Sequence, residues 1–416
     1  MKTKAVRLYG VDDIRLDEFE LPEIKDDEIL VKVVSDSICM STWKTVKQGA
    51  NHKRVPNDVA DHPIIIGHEF AGDNVQVGKK WQDNFQPGQK FAQQPAIPGQ
   101  MESPGYSYQW CGGDTQYCIF PNDIIEAGCL WTFEGDGYFA SSVAEPVSCV
   151  IGGYHTNYHT VPGTYQHVMG TKKGGNIIIL GGCGPMGLGA ISYGLTFENK
   201  PKRIVVTEIN DERINRAREV ISEEEAAAHG VELIYVNTAT MQDQVKELMA
   251  LTDGKGYDDV FVYIPNRAVC EMGNSIMAYD GCMNLFAGPT DMKFSSMINL
   301  YDCHYSRSKI IGSTGGTIDD MKEAIEKEVQ GLIKSAVMIT HVGGLDSVVE
   351  TTKNLPDVPG GKKLVYTHIN MPMTAIDDFA KLGEQDPFFK ELDAVCKKNR
   401  GLWSAEAEKM LLEHFR

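Results

Sequence analysis

Residues 176–194 read NIIILGGCGPMGLGAISYG, an apolar, β-branched run that enters glycines at 181, 182, 184 and 187 and leaves as a helix-like stretch. A buried strand that feeds the turn Gly182-Cys183-Gly184-Pro185-Met186-Gly187 at the head of a helix has a chemical use. Its glycines allow a tight turn and close approach of backbone to a pyrophosphate, which then rests on the positive end of the helix dipole. The next apolar segment, RIVVTEIND (203–211), carries Glu208, 21 residues beyond Gly187, where an acid hydrogen-bonds the ribose hydroxyls of a dinucleotide. An acid there repels a 2′-phosphate, so NAD(H) is favoured over NADP(H). Arg213 either supports the ribose or softens that discrimination. The cofactor candidates are therefore Gly182, Gly184, Pro185, Met186, Gly187, Glu208 and Arg213.

Outward from this turn the pattern repeats. ELIYV (232–236) and DDVFVYI (258–264) read as buried parallel strands, and DERINRAREVISEEEAAAHG (211–230) and MQDQVKELMAL (241–251) as helices between them. Strands alternating with helices predict a doubly wound α/β domain with a parallel sheet, over 152–312. Before it the grammar differs: KAVRLYG (4–10), IRLDEFE (14–20) and EILVKVV (28–34) are strand-like, and residues 60–130 are irregular and mostly β, broken by Gly and Pro. After it come a helical run, DDMKEAIEKEVQGLI (319–333), and a strand, KKLVYTHI (362–369). The expected second domain is thus β-rich and assembled from 1–151 and 313–369, with a helical C-terminal extension over 370–416.

The chain has 416 residues, 42% of them hydrophobic, enough for domains with real cores. Lys and Arg number 40 against 57 Asp and Glu, a formal charge of −17, the wrong sign for a protein that coats nucleic acid or an anionic membrane. No apolar run approaches the roughly 20 residues that cross a bilayer, and MKTKAVRLYG lacks the apolar core of a secretion signal. The 10 cysteines are scattered in apolar context rather than dense, so the expectation is a cytoplasmic protein with no nucleic-acid or membrane partner.

Against this acidic background, KTVKQGANHKR (44–54) holds Lys44, Lys47, Lys53 and Arg54 with no acid among them. Such a segment is either a solvated loop or a phosphate site built on charge-assisted hydrogen bonds. It begins five residues after Cys39. Cys39 itself, His68-Glu69 in IIIGHEFAG and Glu145 in SVAEPVSC offer thiolate, imidazole and carboxylate, the donors that zinc takes. A catalytic zinc uses about three protein ligands and keeps a position open.

Together, Cys39 with Ser41 two residues on, GHEFAG followed by VGKKW and FQPGQKF, AEPVSC, and GGCGPMG with its downstream TEIN resemble the zinc-dependent medium-chain alcohol and polyol dehydrogenases. The resemblance implies a GroES-like catalytic domain beside the Rossmann domain, and a catalytic zinc at Cys39, His68, Glu69 and Glu145. A carboxylate at 145 resembles the polyol branch, in which Glu69 or Glu145 holds zinc directly or through its water. The family's structural zinc needs four closely spaced cysteines, and only Cys111 and Cys118 stand between Pro87 and Pro121, so none is expected. Where many relatives end a proton relay with histidine, this chain has Lys44; Ser41 is the candidate for hydrogen-bonding the reacting oxygen. WKTVKQGANHKRVP, GQKFAQQPAIPG, CGGDTQYCIFP and GLWSAEAEKMLLEHF are similar to the L-sorbose 1-phosphate reductase subgroup. That implies a ketose phosphate as the small-molecule substrate of a homodimer or homotetramer. The alternatives are a zinc polyol dehydrogenase of free sugars and a nucleotide-binding sensor without chemistry; the intact donor set argues against the sensor.

Overall fold

The computed structural model describes residues 1–415, which fall into two compact units. The first comprises Met1–Glu145, Thr317–Val329 and the described residues from Ser335 onward; the second comprises Pro146–Gly316 with Gln330–Lys334.

The first unit is built on an eight-stranded sheet. Its order runs Thr374–Ala375, Ile339–Gly344, Lys362–Tyr366, Ile29–Ile38, Ala71–Val77, Lys90–Gln93, Leu130–Thr132, with Tyr117–Phe120 also pairing Ile29–Ile38. All neighbours are antiparallel except Ile339–Gly344 with Lys362–Tyr366. Lys2–Gly10, flanked by Asp13–Glu20 and Ile64–Ile65, makes a smaller sheet. The three strand-like N-terminal segments are thus strands. Phe70, Phe91 and Phe120 form the centre of the core, with ring centroids 5.4–6.0 Å apart in stacked and edge-on pairs.

The helices after residue 370 belong to this unit. Phe379–Leu382, Pro387–Lys398 and Ala405–His414 bury Phe379, Leu392 and Leu411, and the link before the last of them buries Trp403, all to 1% exposure or less. Local chemistry sets their starts: Asp386 accepts the Phe388 N–H ahead of Pro387, and the Ser404 hydroxyl accepts the Ala407 N–H.

The second unit holds a six-stranded sheet, all parallel, in the order Glu232–Asn237, Arg203–Glu208, Asn176–Leu180, Tyr257–Val262, Met277–Leu285, Lys309–Gly312. This is the strand order of a dinucleotide-binding sheet, with its crossover beside Asn176–Leu180. Asn176–Leu180 and Tyr257–Val262 are buried throughout, as their near-continuous apolar runs require. The run 211–230 is two helices, Asp211–Val220 and Glu223–Ala228, because the Ser222 hydroxyl accepts the Glu225 N–H and starts the chain afresh. Among the described residues no helix is long and apolar enough to cross a membrane.

Candidate active site

In the first unit, strand Ile29–Ile38 runs out at Cys39, whose Sγ accepts the Ser41 N–H at 3.5 Å and so caps helix Met40–Gln48. One residue therefore ends the strand, starts the helix and presents a thiol. His68 and Glu69 sit in the link between Ile64–Ile65 and Ala71–Val77, both almost fully buried. Asp36, on the outgoing strand, accepts the Glu69 N–H at 3.0 Å and the Ser37 N–H at 2.7 Å, which locks that link to the strand bearing Cys39. Donor atoms of Cys39, His68 and Glu69 all lie within 4.8 Å of one another.

The charges in this cluster are steeply perturbed. Burial pushes the Cys39 thiol up to about 12; Lys362 opposes the shift, while Glu69 and Glu145 add to it. Burial lowers His68 to about 4, so at neutral pH its imidazole is uncharged and keeps a lone pair. One ring nitrogen meets the Thr42 hydroxyl at 3.3 Å and the other meets the Tyr106 hydroxyl at 3.2 Å. Burial works against an ionised Glu69, yet Lys362 and His68 overcome it and hold its carboxyl below the usual range. Lys362 opens strand Lys362–Tyr366 and donates to both Glu69 oxygens, and the Ser37 hydroxyl donates to one of them.

The donor set suits zinc. Around a tetrahedral zinc, neighbouring N and S donors stand about 3.3–3.8 Å apart, so the cluster needs only a modest side-chain contraction. A buried neutral imidazole and a thiol facing a cation are the chemistry such an ion selects, because a dication reverses the penalty that keeps the thiol protonated. Glu145 lies in the first turn of helix Ala144–Thr156 and acts electrostatically on Cys39, Tyr106 and Lys362. Glu69, by contrast, spends its carboxylate on Lys362 and Ser37.

The basic segment does not converge as one patch. Lys47 extends to Asp12 at 2.6 Å on the surface, and Lys53 is exposed. Lys44 lies on the helix that Cys39 caps. Arg54 is the member that converges on the cluster: its guanidinium lies 5.2 Å over the Tyr106 ring and donates to the Ser103 hydroxyl at 3.4 Å. His52 stacks on the same ring at 5.7 Å, and His68 meets it at 4.8 Å. Tyr106, which hydrogen-bonds Ser41 as well, is therefore the hub that joins the basic segment to His68. Neither Tyr106 nor Lys362 was expected from the sequence.

In the second unit the glycine turn is intact. Gly184 precedes helix Pro185–Gly194, no side chain caps that helix, and a Cβ on Gly184 would meet nothing within 4 Å. Gly187 has the opposite environment: its Cβ would stand 2.2 Å from the Gly182 carbonyl oxygen, so only glycine lets helix and turn close together. Pro185 and Met186 begin the first turn of that helix, in which proline has no N–H to leave unpaired and the N–H groups of the next residues have no acceptor within the helix. Glu208 ends strand Arg203–Glu208, only 4% exposed, and accepts the Ile209 N–H at 2.9 Å. Arg213 approaches the Glu208 carboxylate at 3.8 Å.

Two family descriptions match the chain, "Alcohol dehydrogenase GroES-like domain" over residues 25–173 and "Zinc-binding dehydrogenase" over 185–330. The chain is 48% identical over 416 residues to mannitol-1-phosphate 5-dehydrogenase of Aliivibrio fischeri, covering 100% of this chain and 98% of that protein. It is 45% identical over 415 residues to L-sorbose 1-phosphate reductase of Klebsiella pneumoniae, covering 99% and 98%. Among solved structures, 2R,3R-butanediol dehydrogenase of Bacillus subtilis superposes with a TM-score of 0.71 at 20% identity, over 88% of this chain and 99% of its own.

Proposed function

Since this chain belongs to the zinc-binding dehydrogenases with a GroES-like domain, and is an oxidoreductase of the CH–OH group in the polyol-phosphate branch, we propose that it reduces L-sorbose 1-phosphate to D-glucitol 6-phosphate with NADH, reversibly. The observation that carries the phosphate is Arg54, a guanidinium held over Tyr106, whose hydroxyl touches His68. The names of both close relatives point the same way.

In this reading Cys39, His68 and Glu145 hold one zinc, and Glu69 acts from behind them through Lys362. Zinc, when bound, supplies Lewis acidity toward the substrate oxygen, and the nicotinamide supplies hydride. The Ser41 hydroxyl donates a hydrogen bond to the reacting oxygen, and Lys44 feeds it the proton that completes reduction. Arg54 receives the phosphate; Lys53 adds long-range attraction, and Lys47, tied to Asp12, contributes least. In the second unit Gly182, Gly184, Pro185, Met186 and Gly187 take the pyrophosphate. Glu208 takes the ribose and favours NADH over NADPH, Arg213 being drawn to that carboxylate. No structural zinc is proposed, since Cys111 and Cys118 stand without two further cysteines in their segment.

The proposal extends to a homo-oligomer, dimer or tetramer, in the cytoplasm. Lys309–Gly312 is an edge strand, and Leu300, Tyr301 and Tyr305 just before it are exposed; the ten cysteines are free thiols. Light scattering of the purified protein tests the assembly. The reaction is tested by NADH oxidation, with and without a zinc chelator, on L-sorbose 1-phosphate and free L-sorbose, and by the reverse reaction, NAD+ reduction, on D-glucitol 6-phosphate. Full activity without metal, or equal kcat/KM on the phosphorylated and free ketose, overturns it.

A further inference from the structure

We propose that Glu408, on the C-terminal helix Ala405–His414, is a positioning residue for the site in the first unit; this rests on the reading that Glu145 serves that site. Glu408 is 3% exposed, and its two oxygens serve different partners. One accepts the Tyr138 N–H at 2.6 Å; the other accepts the Phe139 N–H at 2.8 Å and the Tyr366 hydroxyl at 2.8 Å. Trp403 closes the group by donating its indole N–H to the Tyr366 hydroxyl at 2.7 Å.

Both ends of this network lead to the site. Tyr138 and Phe139 begin the short helix Phe139–Ser142, three residues before Glu145, and the Ser142 hydroxyl donates to the Ser35 carbonyl at 3.0 Å. The segment that delivers Glu145 is thus fixed at its start by Glu408 and at its end by the strand that leads to Cys39. Tyr366 ends the strand that Lys362 opens, and Lys362 holds Glu69. One carboxylate on the extension therefore braces the approach to Glu145 and the strand that neutralises Glu69. An ionised carboxyl is the group that fits, because all three partners donate to it. A glutamine there turns its amide N–H groups against a backbone N–H.

The test is a double-mutant cycle of Glu408→Gln with Glu145→Gln in the full chain. It reads the zinc dissociation constant by competition with a chromophoric chelator, and kcat alongside. Glu145→Gln is expected to weaken zinc about 10- to 100-fold, and Glu408→Gln roughly tenfold, with NADH affinity unchanged in both. In the Glu145→Gln background Glu408→Gln should add less than about twofold, since Glu145 is a ligand and Glu69, on the other route, is not, so the effect on zinc passes through Glu145. Fully additive losses, or a Glu408→Gln protein that binds zinc and turns over like the parent, overturn the positioning role. If Glu145→Gln itself moves neither quantity, the assignment of Glu145 falls and the proposal with it. Should Glu408→Gln fail to fold, Glu408→Asp, whose shorter carboxylate draws back from the Tyr138 and Phe139 N–H groups, takes its place in the cycle.

Discussion

Lys362 sets its ammonium 2.5 and 2.7 Å from the two carboxylate oxygens of Glu69, joining residues 293 positions apart. With both side chains at 8% exposure or less, neither charge can turn to water. Removing one partner leaves the other buried and uncompensated. Lys362→Met should therefore cost about 3–5 kcal/mol of stability, and Lys362→Met with Glu69→Gln should recover most of it. Urea unfolding of the two variants beside the parent measures this; equal losses in single and double variants contradict it.

Arg54 and Lys47 should part company in kinetics. Arg54→Ala is expected to raise KM for L-sorbose 1-phosphate about 10- to 100-fold, the value of a charge-assisted contact, and to leave free L-sorbose unaffected. Lys47→Ala should change either by less than about twofold, because an exposed pair with Asp12 contributes little. Steady-state kcat/KM on the two substrates decides, and a larger effect from Lys47→Ala reverses the assignment.

The nucleotide turn gives a steric prediction and a chemical one. A methyl group added at Gly187 would stand 2.2 Å from the Gly182 oxygen, so Gly187→Ala should open the turn at a cost of about 1–3 kcal/mol and weaken NADH. Glu208→Ala should remove a charged hydrogen-bond acceptor and narrow the preference for NADH over NADPH by about tenfold. Fluorescence titration with both cofactors reads both outcomes.

Acid sensitivity should trace in part to His368, which burial and nearby Lys32 lower to about 4 while Nε2–H donates to the Gln116 carbonyl at 3.1 Å. Unfolded, the ring titrates near its ordinary value of about 6.5. Between those values the unfolded chain binds a proton that the folded chain refuses. Stability from this group is thus complete above about pH 6.5 and drains away as pH falls toward about 4. His368→Gln should shrink the difference in unfolding free energy between about pH 7 and about pH 5 by about 1–2 kcal/mol; an unchanged difference dismisses His368 as the source.

Much of this molecule is legible from local pattern. The glycine turn, the acid at 208 and the parallel strands announce themselves because strand, turn and helix are neighbours in sequence. Cys39, His68 and Glu69 stand out as donors, and the structure gathers them. Lys362 was hidden because it reads as one of two lysines opening a strand, its partner in a distant motif. A charged residue at the head of an otherwise apolar run, KKLVY, was the one available signal. Tyr106 lay in an irregular stretch with no periodicity to point it anywhere. The basic segment looked uniform because spacing along a loop does not say which way each side chain leaves it. The run 211–230 looked like one helix because a serine cap reads as an ordinary polar residue until its hydroxyl is seen turning back.

The first unit is interrupted: Cys39, His68, Tyr106 and Glu145 come from one stretch of chain, and Lys362 and Glu408 from another beyond Gly316. On the ribosome, the long interval that encodes the second unit is made between them. The sheet strand bearing Cys39 must wait for Lys362–Tyr366, its hydrogen-bonded neighbour, to be synthesised, whereas the second unit has nearly all of its own chain in hand. The charge balance around Glu69 is thereby completed only near the end of translation. A chain stalled before residue 362 would leave Glu69 without its counter-charge, so unfinished copies should carry an unbalanced carboxylate where the finished chain has a closed ion pair.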